Sequence, residues 1–319
     1  MSQKVVIALG GNAILQSKQQ ATYENQLENI QKSCEVIARI VKQGYEVIIT
    51  HGNGPQVGNI LRQQDEAKEV VPPFPLHVCS AESQGFIGYM MNQCLLNELQ
   101  KLGLNNSVIS MLTQTEVSKD DPAFQNPTKP IGVFYSEEEA KRFAEEKGWI
   151  VKEDAGRGWR RVVPSPMPKA IIGADLIKSL TDQGTIVIAA GGGGIPVSRQ
   201  SDGTLIGVEA VIDKDRSGYQ LAQDVNADIF MILTDVENVY VNYGKPNQKS
   251  LETISLEEAK QYADEGQFSA GSMGPKMESA IGFAEKGGAS IICSLDQADL
   301  ALAGKAGTRI TQSITAHHK

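Results

Sequence analysis

Basic residues are the minority charge in this 319-residue chain, 30 Lys and Arg against 38 Asp and Glu. The net charge of −8 excludes the general basic field that nucleic acid or an anionic membrane surface attracts. Any anionic ligand must be met by cations grouped locally. Long hydrophobic runs are missing too. Val5 to Leu9 is too short for a signal-peptide core, and nothing approaches the roughly 20 apolar residues of a membrane span, so a cytoplasmic protein is expected. Cysteine is scarce: Cys34, Cys79, Cys94 and Cys293 form no Cys-x-x-Cys pair and read as reduced core thiols, not metal ligands. Of four histidines, two lie in the terminal stretch Ala316-His317-His318-Lys319, which reads as a mobile tail. That leaves His51 and His77 as candidate imidazole bases, each more ordinary as a structural hydrogen-bonding group.

Familiar ligand-binding signatures are also absent. The chain has no Gly-x-x-x-x-Gly-Lys-Ser/Thr loop and no His-Glu-x-x-His pair. Gly52-Asn53-Gly54-Pro55-Gln56-Val57-Gly58 misses the dinucleotide spacing Gly-x-Gly-x-x-Gly by one residue. These gaps argue against a P-loop enzyme, a zinc peptidase and a dehydrogenase.

What is present is glycine at strand ends. The runs Val5-Val6-Ile7-Ala8-Leu9, Val47-Ile48-Ile49-Thr50 and Ile186-Val187-Ile188 precede Gly10-Gly11-Asn12, His51-Gly52-Asn53-Gly54 and Gly191 to Gly194. In an open α/β sheet, ligands collect beyond the carboxyl ends of the strands, where bare N–H groups favour negative charge. Three such turns predict one convergent anion site. Leu27, Ile30, Cys34, Ile37, Ala38 and Val41 recur at helical spacing before Gly44, so the first unit reads strand, helix, strand in a parallel sheet. The alternation resumes with a helix over 87–102 and a strand over 108–113. From Pro168 it continues as a helix to Asp182, a strand over 185–190, a helix over 217–225 and a strand over 229–234. A helix over 256–265, a helix from about Lys276 and a strand over 290–293 follow.

Residues 118–168 break this rhythm, holding six of the 13 prolines and both tryptophans. With its own short helix over 137–147 and paired basic residues, the stretch predicts an inserted lid that serves as a binding element. A second lobe is expected from about residue 213. The chain then divides into an N-terminal lobe over 1–212, carrying the lid, and a C-terminal lobe over 213–319.

Glycine-rich backbone combined with lysine is the equipment of phosphoryl transfer, where positioning and charge stabilisation supply most of the catalysis. Lys129 lies between prolines in the lid, Lys214 between Asp213 and Asp215 at a turn into a helix, and Lys276 after a Gly/Pro turn at a helix start. Each alone reads as a solvated surface lysine; together they form a constellation. Asp215 could fix the lysine ammonium groups, hold Mg²⁺ through water, or be a plain helix N-cap.

These motifs carry a resemblance. Ala8 to Ala13, His51 to Gly58, Asn126-Pro127-Thr128-Lys129-Pro130-Ile131-Gly132, Lys152 to Arg161, Gly191 to Pro196, Ala210 to Asp215 and Gly271-Ser272-Met273-Gly274-Pro275-Lys276 resemble the carbamate kinases of the amino acid kinase fold. The glycine turns alone point only to the wider superfamily, and the two lid motifs narrow it. The resemblance implies a three-layer αβα sandwich with a mainly parallel eight-stranded central sheet, and a homodimer. It implies reversible transfer between ATP and carbamate with Mg²⁺, giving ADP and carbamoyl phosphate, often run towards ATP synthesis in arginine catabolism. Gly10, Gly11, Asn12, Gly52 and Asn53 would bind carbamate and the transferring phosphoryl group. Lys129, Lys214 and Lys276 would stabilise charge, with Asp215 organising the lysines. Thr234, Asp235, Tyr243, Ser272 and Met273 would line the nucleotide site together with Lys214 and Lys276. Many superfamily members carry a lysine where this chain has Ala8, so Lys129 on the lid is the expected substitute. The rival readings are a kinase of the same fold with another carboxylate or phosphate acceptor, and a catalytically silent binding homologue.

Overall fold

Strands that are apolar along their whole length need cover on both faces, and that requirement sets the architecture. The computed structural model describes residues 2–16, 18–154, 156, 158–269 and 273–312. From the N-terminus, β1 (Lys4–Leu9), α1 (Tyr23–Lys42), β2 (Glu46–His51), α2 (Gly54–Ala67), α3 (Leu76–Lys101), β3 (Val108–Ser110) and β4 (Gln114–Val117) lead into an excursion. The excursion comprises β5 (Lys129–Tyr135), α4 (Glu137–Lys147), β6 (Val151–Glu153) and β7 (Trp159–Val163). The chain returns through β8 (Pro168–Ile171), α5 (Ala174–Asp182), β9 (Ile186–Ile188), β10 (Ile195–Arg199) and β11 (Leu205–Gly207). Then come α6 (Lys214–Asp224), β12 (Ile229–Thr234), β13 (Val239–Val241), β14 (Lys249–Leu251), β15 (Thr253–Ser255) and α7 (Leu256–Asp264). The last elements are α8 (Met273–Glu285), β16 (Ala289–Ser294), α9 (Ala298–Leu302) and β17 (Thr308–Thr311).

The central sheet has eight strands in the order β15-β17-β16-β12-β1-β2-β9-β3. All neighbours are parallel except β16 and β17. β1 is buried at all six positions, and its side chains divide between two cores. Val5, Ile7 and Leu9 pack with Ile30, Ile37, Met91 and Ala301 of α1, α3 and α9. Val6 and Ala8 pack with Ile177, Leu221, Ala280 and Phe283 of α5, α6 and α8. The result is a three-layer αβα sandwich. The sequence boundary at 212/213 falls at the start of α6, and the strands on either side of it join along the parallel pairing of β1 with β12.

Several elements differ from the sequence reading. α2 was not anticipated, because Gly54, Gly58 and a polar run from Arg62 hide the buried Val57 and Ile60. α3 begins at Leu76, well before Ile87. Its apolar positions Ile87, Met90, Met91, Leu95 and Leu99 are core. The stretch after Pro168 opens as β8, which pairs with β4, and helix α5 starts only after Gly173 at φ +84°. The four cysteines are free and buried. No helix among the described residues is long and apolar enough to cross a membrane.

Residues 118–168 contain an antiparallel three-stranded sheet, β5-β7-β6, and helix α4. Ser136 and Glu139 form a capping box at the start of α4, and Gly148 ends it in the left-handed conformation, which accounts for its clear sequence signal. Tyr135, Phe143 and Trp149 make a small aromatic core, with ring centroids 5.1 to 6.0 Å apart. This unit docks on α2 through a glycine contact, since a Cβ added to Gly58 would lie 2.2 Å from the Gly132 Cα. An ion pair between Asp65 of α2 and Lys147 of α4 closes the same seam.

Candidate active site

Two of the three glycine turns meet at the carboxyl end of the sheet. Gly10 N donates to Leu233 O at 3.1 Å and Gly52 N to Leu9 O at 3.1 Å, so each turn is tied to the neighbouring strand end. A Cβ on Gly10 would lie 2.9 Å from that Leu233 oxygen. Gly11 opens a short 3-10 turn, Gly11–Ala13, whose first amides have no carbonyl one turn back and remain for an anion. A Cβ placed on Gly52 would sit 3.4 Å from the Lys214 Cδ and 3.7 Å from Gly11 N, so turn, turn and lysine share one small space.

Lys214 reaches that space from the first turn of α6. Asp213 caps this helix, accepting from Asp215 N at 2.9 Å and from Arg216 N at 3.4 Å. The helix therefore starts at Lys214, ahead of the Ser217 expected from the sequence. Asp215 lies in the first turn and is 3% exposed. Its Oδ1 accepts from Lys214 Nζ at 2.5 Å and its Oδ2 from Lys276 Nζ, on α8, at 3.0 Å. The excursion contributes as well: Lys129 Nζ, at the start of β5, donates to Asp213 Oδ2 at 2.6 Å. The four sequence candidates thus fall in two neighbouring ionic groups, the pair Lys129–Asp213 and the triad Lys214–Asp215–Lys276.

Electrostatics follow from burial. Burial pushes the Asp215 carboxyl up, but Lys214 and Lys276 outweigh it and hold the group below the usual carboxylate range. Asp213 behaves alike, with Lys129 and Lys214 overcoming burial to depress it strongly. Burial lowers the Lys214 ammonium, opposed by the attraction of Asp215. The chain Lys214–Asp215–Lys276 carries one net positive charge in a poorly solvated place, which suits a phosphoryl group.

A cavity of about 660 Å³ opens beside this cluster, lined by Gly10, Gly11, Asn12, Lys214, Thr234, Asp235 and Lys276. It is large enough for a nucleotide. Sequence reasoning missed several of its other walls: Gln16, Asn29 and Lys32 from the α1 side and Ser294, Leu295 and Asp296 at the end of β16. Lys32 looked like an ordinary helix-surface lysine and does pair with Glu28 one turn back, at 2.8 Å. The signal that could have found Asp296 is its position just past a strand end.

Other candidates fall elsewhere. Tyr243 is 72% exposed after β13, against Tyr240 at 6.2 Å between centroids, and is not among the cavity-lining residues. Met273 is the first residue of α8 and packs against the core on the α6 side. Ser272, Gly271 and the tail 316–319 lie outside the described residues. The third glycine cluster is buried and does not line the cavity. A Cβ on Gly191 would stand 2.4 Å from the His51 ring, and one on Gly192 would stand 2.1 Å from the Asn53 amide, so these glycines make room for side chains. His51 itself is buried with Nδ1 2.9 Å from its neighbour Gly52 O, and burial lowers its pKa to about 4. It is neutral near pH 7. His77 lies against Gly207, where an added Cβ would be 2.5 Å from the ring.

The sequence matches the amino acid kinase family over residues 3–294. The chain belongs to the amino acid kinase family. Within it, the chain is 56% identical to the carbamate kinase of Pyrococcus furiosus over 97% of this chain and 99% of that protein. It is 48% identical to carbamate kinase 3 of Staphylococcus aureus, over 96% and 99% respectively. A solved carbamate kinase from Giardia lamblia bound to AMP-PNP superposes with a TM-score of 0.90 at 50% identity, covering 97% of this chain and 98% of that one. As in those relatives, the eight-stranded sheet and its helix layers are those of the amino acid kinase fold.

Proposed function

We propose that this chain is a kinase that transfers the γ-phosphoryl group of ATP reversibly to carbamate, giving ADP and carbamoyl phosphate. The observation that carries the reading is the pairing of Lys214 and Lys276 on the two oxygens of Asp215 beside the Gly10 and Gly52 turns, in a chain 56% identical to a carbamate kinase. The AMP-PNP bound by the Giardia lamblia relative supports a nucleotide in the 660 Å³ cavity.

The chemistry suits an anionic acceptor. A carbamate oxygen attacks already charged, so no base is required, in keeping with a His51 ring that burial keeps neutral and tied to Gly52. The obstacle is repulsion between an anion and a triphosphate. Lys214 and Lys276 neutralise it from the C-terminal half, held apart and aimed by Asp215. Lys129 adds a third cation from the lid, and the amides of Gly11 and Asn12 give hydrogen bonds to the transferring oxygens. Gly10, Gly11, Asn12, Gly52 and Asn53 bind the acceptor and phosphoryl group within residues 1–212. Thr234 and Asp235 belong to the nucleotide side within 213–319, which Tyr243 and Ser272 would extend.

Mg²⁺ would be carried by nucleotide phosphates and water. Asp235 and Asp296, the carboxylates lining the cavity, would accept hydrogen bonds from its water shell. When bound, the ion neutralises the β- and γ-phosphates. We further propose a cytoplasmic homodimer working towards ATP synthesis. The deciding experiment supplies ADP, Mg²⁺ and carbamoyl phosphate and measures ATP, with acetylglutamate, aspartate, glutamate and UMP as rival acceptors for ATP. Turnover of a rival acceptor with none from carbamoyl phosphate would refute the reading.

A further inference from the structure

A hydrogen-bond relay in the second turn fixes which way an amide points. Ser83, on α3 and fully buried, donates its only hydroxyl proton to Ser80 O at 2.6 Å. Its oxygen can therefore only accept from Asn53, 2.8 Å away, so the atom of Asn53 that faces Ser83 is the NH₂ nitrogen Nδ2. Gly192 closes against the same amide, where any Cβ would overlap it, so the side chain has little room to turn. The remaining atom, Oδ1, enters no hydrogen bond with another described residue. Asn53 is the N-cap residue of α2, directly after Gly52, where an added Cβ would stand 3.4 Å from the Lys214 Cδ and 3.7 Å from Gly11 N.

We infer that Asn53 Oδ1 accepts a hydrogen bond from the amino group of the acceptor substrate and that Ser83 is the positioning residue that keeps it turned that way. The inference rests on the carbamate reading above and deepens it. With no protein donor on it, Oδ1 is left open to one from the ligand. Carbamate and carbamoyl phosphate present an NH₂ at the carbon where acetate and acetyl phosphate present a methyl group and bicarbonate a hydroxyl. The methyl analogue leaves Oδ1 unpaired and is penalised for it. Were the amide free to flip, its NH₂ would face the substrate amino group, donor against donor, and the preference would vanish. Ser83 prevents the flip without touching substrate.

The test compares kcat/KM for ATP formation from ADP with carbamoyl phosphate and with acetyl phosphate, the latter read as a competitive Ki where its turnover is too slow. Ser83→Ala should lower the preference for carbamoyl phosphate about tenfold, the effect of one hydrogen bond, chiefly by weakening carbamoyl phosphate itself. Ser83→Thr, which keeps the hydroxyl, should retain the preference. A general packing defect would lower both substrates together. If Ser83→Ala does not fold, Asn53→Ala must show the same loss of preference. Wild-type ATP synthesis with an unchanged preference in a folded Ser83→Ala or Asn53→Ala protein would overturn the inference and leave the carbamate reading intact. No ATP from carbamoyl phosphate with the wild type would overturn both.

Discussion

Replacing Asp215 by Ala should damage the fold more than the loss of either lysine it holds. Asp215 is 3% exposed and is the shared counter-ion of Lys214 at 2.5 Å and Lys276 at 3.0 Å. Without it two crowded ammonium groups face each other, and removing one partner of a buried ion pair costs about 3–5 kcal/mol. Lys214→Ala leaves the carboxylate paired with Lys276, and Lys276→Ala leaves it paired with Lys214. Each loses one charged hydrogen bond, about 1.5–3 kcal/mol. At roughly 1.5 °C per kcal/mol for 319 residues, from an unfolding entropy of about 2.1 cal/mol/K per residue, Asp215→Ala should melt about 5–8 °C below wild type, with the lysine variants between. The order in catalysis is set differently. Each lysine variant should lose on the order of 10²–10³ in kcat, as for one preorganised charge-stabilising donor.

Calorimetry with and without AMP-PNP makes the assay decisive. In Asp215→Ala the nucleotide phosphates become the missing counter-ion, so the analogue should raise its melting temperature more than it raises that of wild type. In the lysine variants the rise should be smaller than in wild type. An Asp215→Ala protein that melts with wild type, or lysine variants that melt below Asp215→Ala, would refute the claim that this carboxylate organises the site.

Three further outcomes are expected. Folding lowers the His51 pKa from 6.5 to about 4, so between those values the unfolded chain binds a proton that the folded one refuses. Stability should fall as the pH drops through that window, by about 3 kcal/mol in all, and urea midpoints of His51→Gln should lack that part of the slope; equal slopes would exclude His51 as its source. Lys129→Ala should lower kcat sharply while leaving ADP affinity little changed, since the ammonium reaches the site from the lid and is tied there by Asp213. Weakened ADP binding with normal kcat would move Lys129 to the nucleotide side. Gly58→Ala places a Cβ 2.2 Å from the Gly132 backbone, so residues 118–168 should lose their seat on α2 and be cut faster by protease; wild-type cleavage rates would count against that seam.

Much of the fold was legible because the physics is local. The all-apolar runs of β1, β2 and β12 require cover on both faces, the Leu27 to Val41 spacing shows one helix face, and Ser136 with Glu139 and Gly148 bracket α4. The lysines stood out by context, Lys129 between prolines and Lys214 and Lys276 at turns into helices. What was not legible depends on partners far away in sequence. α2 carries Gly58 where it meets Gly132, a residue in another unit of the chain, so that glycine reads as a breaker when it is contact surface. Asp213 looked like a neighbour of Lys214, and its pairing with Lys129 spans 84 positions. The third glycine cluster carries the same sequence signal as the first two, since a glycine that admits a phosphate and a glycine that admits a side chain are both simply missing a Cβ. Gly191 and Gly192 admit His51 and Asn53, residues of the second turn. They serve the anion site at one remove, by allowing those side chains to pack where the backbone of Gly52 can face Lys214.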